Sequence, residues 1–196
     1  MNKIFTLIAA AVLCCGCLVQ SINPFYTDNT VIQLPRLLGS WDMVSKDFQD
    51  DKSVQIKSWV IDPKQILTFD EHGLCGPYRY KTFKIDEDLF LDVLPVDDPE
   101  GCVNAFWVMG VARFHLLFKL DINDEQLILT PLNYEWFQAK QKSGQLALAM
   151  VKATGEDWGF FNVPPQEWVD FLKQHKSEKD FFRNESKIIL KRRSEK

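Results

Sequence analysis

Cysteine and histidine are scarce in this 196-residue chain, and their positions limit the chemistry it can do. Three of its five cysteines fall together in Cys14-Cys15-Gly16-Cys17, directly behind a run of apolar residues from 4 to 13. The other two, Cys75 and Cys102, stand alone. The three histidines, His72, His115 and His175, are widely separated, and none has a partner at the H-E-x-x-H spacing that a zinc site needs. His115 sits inside an apolar stretch and reads as a satisfied core residue or a ligand-lining one. His175 closes a helical pattern, where positive charge is favoured. Asp97, Asp98 and Glu100 lack the regular oxygen spacing of a calcium loop and read as a solvated turn, as do Asp50 and Asp51. No G-x-S-x-G elbow, S-x-x-K pair or glycine-rich phosphate loop is present. The expectation is no catalytic residue, no metal and no cofactor.

The N-terminus carries an address. Met1-Asn2-Lys3 supplies a short positive region before the apolar run, which is the layout of a secretory signal. Even extended to residue 19, the run falls short of the roughly 20 residues that a membrane-spanning helix requires. Leu13-Cys14-Cys15-Gly16-Cys17 resembles the lipobox of bacterial lipoproteins, in which a peptidase cuts before a cysteine that carries diacylglycerol. The residue before the cut must be small, so Gly16 selects Cys17 as the lipidation site over Cys14 and Cys15. The pattern departs from the family at Cys14, where a Leu is usual. The resemblance implies a signal peptide over 1–16 and a lipidated Cys17 opening a tether over 17–37. It also implies anchoring by two or more acyl chains, which hold a protein stably where one does not. Leu18 is not the Asp that resembles an inner-membrane retention signal, so the expected location is the periplasmic face of a bacterial outer membrane.

After such processing only Cys75 and Cys102 keep their thiols. In an oxidising compartment two cysteines suggest one disulfide, closing a loop of about 27 residues and contributing roughly 3 kcal/mol where geometry allows. The alternative is two unpaired cysteines. The net charge of −4 argues against a general nucleic-acid binder.

The elements that position these residues are mostly strands. Alternation and turn signals mark strands over 38–46, 54–61, 65–70, 77–85, 88–94, 108–120 and 125–131, with hairpin connections at 70–73 and 86–88. Two helices interrupt the pattern in the C-terminal third: 134–142, capped by Asn133 and ended by Gly144, and one opened by Pro165. The second carries Trp168, Phe171, Leu172 and His175 as a stripe that should pack on the sheet, covering an open end. Residues 186–191 can return as a last strand, and the basic Lys191-Arg192-Arg193 at its end reads as a solvated end, the alternative being contact with anionic lipid headgroups.

A meander of this size tends to close into a barrel. Gly39-Ser40-Trp41, at the start of the first strand, resembles the Gly-x-Trp signature of lipocalins, where the Trp closes the barrel floor. Later lipocalin motifs are missing. The order of Asn-Pro-Phe-Tyr-Thr (23–27), Leu-Leu-Gly-Ser-Trp (37–41), meander and terminal helix also resembles bacterial envelope lipoproteins, over most of the processed chain, and implies no activity. The fold expected is mainly β, a lipocalin-like barrel over 38–196. Trp41, Trp59, Tyr78, Tyr80, Phe83, Phe90, Trp107 and Phe114 would fill its interior or line a pocket. The function expected is a non-catalytic structural or protein-interaction role with an envelope partner. The alternative is binding of a small apolar, lipid-like ligand around the Gly39–Trp41 barrel.

Overall fold

The computed structural model describes residues 18–44, 56–71, 73–96, 113–152 and 159–194. The signal segment, Cys17, His72, Asp97, Asp98, Glu100, Cys102 and Trp107 lie outside them. Within them the strands are β1 (Gln20–Ser21), β2 (Val31–Ile32), β3 (Gly39–Met43), β4 (Ser58–Ile61), β5 (Gln65–Phe69) and β6 (Leu74–Ile85). They continue with β7 (Asp88–Pro95), β8 (His115–Ile122), β9 (Gln126–Pro131), β10 (Met150–Lys152), β11 (Gly159–Phe161) and β12 (Ile188–Arg192). Helix α1 spans Tyr134–Lys142 and α2 spans Pro165–His175, at the boundaries the sequence suggests.

β3 to β9 form an antiparallel meander, which alone would leave two long unpaired edges. β12 removes both by pairing with β3 on one side and β9 on the other. With the β8–β9 pairing this closes an eight-stranded antiparallel barrel. Cross-strand register then fixes which side chains face inward. Trp41 pairs with Trp59; Ile61 with Ile66, which pairs with Tyr78; Tyr80 with Val93, which pairs with Leu116; Leu89 with Leu120, Leu120 with Leu129, and Leu129 with Ile188. These form one apolar core with Leu91, Phe118, Leu127 and Leu190, and most of its members are buried.

The opposite parity builds a second core on the outside. Phe83 and Phe90 pair across β6 and β7, with rings stacked at 5.2 Å, and Leu117 extends the surface onto β8. Onto this wall pack Phe137 of α1, Trp168, Phe171 and Leu172 of α2, and Phe161 and Phe181. The α2 stripe is buried as its spacing requires, yet it lies against the outer wall rather than across an end. The expected aromatic filling is corrected in the same way: Trp41, Trp59, Tyr78 and Tyr80 belong to the interior, whereas Phe83 and Phe90 serve the second core.

Three short strands extend the barrel sideways. β1 is antiparallel to the start of β8, at His115 and Leu116, which lie N-terminal to the stretch of β8 that pairs with β9. β11 adds to β1 in parallel, and β10 adds to β11. β2 takes up β6 at Thr82 and Phe83, where β5 no longer pairs.

Candidate functional site

The Gly39 end of the barrel is a closed floor. A 3₁₀ turn, Pro35–Leu37, lies before β3, and the fully buried Trp41 donates its indole Nε1–H to the Leu37 carbonyl at 2.9 Å. Arg192 stacks over the Trp41 ring at 4.1 Å. Its guanidinium donates to the carbonyls of Leu38 (3.0 Å), Asp124 (2.7 Å) and Arg36. Gly39 sits at φ 125°, where a side chain would be strained, and a Cβ there would also press on Arg192 Nη1 at 3.0 Å. Arg192 therefore belongs to the last strand and to the floor, which corrects the reading of Lys191-Arg192-Arg193 as a solvated end. Its neighbour Arg193 is also engaged, in an ion pair with Asp42.

A second polar constellation lies under the helices. Asp92, in the middle of apolar β7, is 2% exposed. Its Oδ1 meets His115 Nδ1 at 2.6 Å, and its Oδ2 accepts the backbone N–H of Phe25 at 3.0 Å. Burial pushes the Asp92 carboxyl above its usual range; the His115 contact and the Phe25 N–H oppose that rise. Beside it, Ser21 Oγ accepts from the Trp168 indole at 3.0 Å and from the Asn23 N–H at 3.2 Å. The Asn23 amide donates to the Asn162 side chain and the Val163 carbonyl. Together these bonds tie residues 21–25 to the outer wall and α2. An Asp–His pair can serve acid–base chemistry; here the second carboxylate oxygen is used by the backbone of the N-terminal segment.

Among the described residues, two surface clefts bear on these groups. One, of about 310 Å³, lies between Val31–Pro35, Leu38, Pro63 and Tyr80–Thr82, beside the β2–β6 junction. Tyr80 donates its hydroxyl to the Asp62 carbonyl at 2.7 Å, and burial together with the Asp62 charge raises its pKa. The other, of about 410 Å³, is polar and includes Lys119, Lys176, Lys179 and Lys187 among its walls. Lys119 bonds Asp88 at 2.8 Å, and Lys176 bonds Asp88 and Asp86.

The sequence candidates separate in space. Gly39 and Trp41 meet at the floor; His115 joins Asp92 on the outer wall; His175 bonds Glu178 at 2.6 Å at the end of α2. Cys75 is buried in β6, there is no disulfide among the described residues, and Cys102 lies outside them. No group of three or more His, Cys, Asp and Glu side chains among the described residues could hold a metal. No helix among them is long and apolar enough to cross a membrane. The sequence reading missed Arg192 and Asp92. A lone acid inside Leu-Phe-Leu-Asp92-Val-Leu was the available signal, since a charge in an apolar strand must find partners.

Floor, wall and helices define a closed eight-stranded antiparallel barrel, the architecture that the lipocalin-like resemblance implies. Neither a protein-family model, nor a curated protein, nor a solved structure matches the chain.

Proposed function

We propose that this chain is a lipid-anchored protein of the bacterial envelope, held by Cys17 and acting through its surface on an envelope partner rather than through a catalytic site. The observation that carries this reading is the packing of the barrel lumen. Trp41, Ile66, Leu91, Phe118, Leu127, Leu129 and Leu190 all face inward, and each shows 0% exposure. A ligand-holding calyx leaves accessible area on the side chains that line it. A barrel packed at these positions, with Tyr80 and Leu89 half-buried and a second, helix-covered core outside, is a rigid body suited to presenting a surface. The periplasmic face of the outer membrane fits the lipobox resemblance and the Leu18 that follows it.

A second reading is favoured by the cleft beside Tyr80, whose volume lies at the lower end of small-molecule sites. On that reading the chain binds a small apolar ligand in this cleft, which shares Leu34, Leu38 and Tyr80 with the barrel core.

Native mass spectrometry of the protein extracted from its own membranes separates the two. The expected result is a covalent diacylglyceryl adduct on Cys17, absent from Cys17→Ser, and no further apolar molecule. A stoichiometric non-covalent lipid that is lost on Leu34→Glu would replace the first reading with the second. The same spectra report a Cys75–Cys102 bridge as a mass two hydrogens below the reduced chain.

A further inference from the structure

The side extension formed by β1, β11 and β10 carries one covered face and one open face. On the covered face Ser21 bonds Trp168, and Phe161 packs at 5.4 Å from the same ring. Alternation along the strands turns Ile22, Phe160 and Val151 the other way. Val151 pairs directly with Phe160, the Phe160 ring lies tilted against Phe114 at 4.8 Å, and the Ile22 N–H bonds the Phe161 carbonyl. Ile22 and Val151 are 44% and 43% exposed. Exposed Arg113 and Lys152 are the sequence neighbours of Phe114 and Val151; Lys152 stands on the edge strand β10, where the same alternation starts its side chain on the opposite face.

The position of the anchor decides what covers it. Leu18 packs in the barrel core, Val19 in the second core, and Gln20 and Ser21 pair with β8. No slack chain therefore separates residue 17 from the folded body. Cys17 lies five residues before Ile22, a distance of at most about 18 Å even when fully extended. Acyl chains on Cys17 would hold the open face within about that distance of the headgroups.

We propose that this face, Ile22, Phe114, Phe160 and Val151 with Arg113 and Lys152 at its edge, is a membrane-contact surface that settles into an anionic bilayer. The inference rests on the lipidated Cys17 of the reading above for its orientation. Apolar and aromatic side chains beside cations are the composition that suits the headgroup boundary. The consequence is a barrel with a fixed orientation on the membrane, its Gly39 floor and lysine-lined cleft left available to partners.

Amide hydrogen exchange of the full protein, isolated from its membranes, tests the proposal. The protein is reconstituted in protein-free vesicles of phosphatidylethanolamine and phosphatidylglycerol, with phosphatidylcholine vesicles and neutral detergent as references. Peptides covering 20–23, 113–116, 150–152 and 159–161 should exchange about fivefold more slowly in the anionic vesicles, while β3 and β12 at the floor stay unchanged. Arg113→Glu with Lys152→Glu should abolish the preference for anionic vesicles; both residues are exposed, so the substitutions spare the core. Equal exchange on all three supports, or protection of the floor instead, overturns the proposal. Protection that appears only in native membranes and never in protein-free vesicles also overturns it, in favour of a protein partner. The mass of the N-terminal peptide reads the anchor independently. An unmodified Cys17 with the face still protected would defeat the anchor and keep the surface, whereas a lipidated Cys17 with an unprotected face would do the reverse.

Discussion

Arg192 is the side chain whose removal most directly tests how the barrel is closed. It joins the last strand to the turn before the first by stacking on Trp41 at 4.1 Å and donating to three carbonyls. A stacked, partly desolvated guanidinium contributes about 1 kcal/mol. The Leu38 bond is half-buried and is worth about 1 kcal/mol, and the two bonds nearer solvent about 0.5 kcal/mol each. Arg192→Ala should therefore cost about 3 kcal/mol, lowering Tm by roughly 6–12 °C for a chain of this size. Arg192→Lys keeps a charge near the ring but loses the planar fork, so about a third of the loss should be recovered. Arg192→Met keeps the apolar stem and should resemble Ala more than Lys. Urea unfolding followed by far-ultraviolet circular dichroism reads all three, provided the slopes stay equal. A cost below about 0.5 kcal/mol for Arg192→Ala would refute the reasoning, because the floor would then be closed without its clamp.

Two further predictions concern carboxylates, one buried and one half-buried. Because burial raises the Asp92 pKa, its contribution favours the folded state most below the ordinary carboxylate range and declines as pH rises through the folded value. Asp92→Asn keeps an acceptor for the Phe25 N–H and should gain on the wild type between pH 5 and pH 8, whereas Asp92→Leu strands that N–H and should cost about 1–3 kcal/mol at either pH; urea midpoints that move in parallel for all three would sink the idea. Asp88 has the opposite sign: burial pushes it up, but the bonds from Lys119 and Lys176 outweigh that and hold it low, so its contribution is present above about pH 4 and is lost as pH falls through its folded value. The same Asp88 bond raises Lys176 against the lowering effect of burial. Lys176→Met should cost about 1–2 kcal/mol at pH 7 and progressively less below pH 4, and a cost independent of pH would show that the pair does not carry it.

The fold was legible where local rules and tertiary demand agree. Asn133 caps α1 because its side chain accepts the Glu135 N–H, and Pro165 opens α2 because its missing N–H costs nothing there. The meander strands show in their alternation because each has an inner and an outer face. The same alternation hid the second core. Phe83 and Phe90 look like interior residues from spacing alone, since period two says that faces differ and never which face is inside. β1, β2, β10 and β11 are two or three residues long, too short to show a period, and exist because the neighbouring strand offers unpaired backbone groups. Of the site, Gly39 and Trp41 were visible as a motif. Their partner Arg192 stands more than 150 residues away, and nothing local distinguishes it from Lys191 and Arg193.

That separation also ties the closure of the barrel to the rest of the molecule. The meander from β3 to β9 cannot remove its own edges, and the floor lacks its cation until β12 arrives. The segment between β9 and β12 contains both helices, so the strand that closes the barrel and the helices that cover its outer wall belong to one continuous stretch of chain. The outer core also takes in Val19 and Phe25, so the N-terminal segment is locked by the structure that positions the last strand. Barrel closure and immobilisation of residues 18–25 are then coupled through one set of buried contacts. A change that loosens the helices, such as Trp168→Ala, acts at once on the Ser21 bond beside residue 17 and on the return of β12 to Trp41. A chain with a slack tether would show only the second effect.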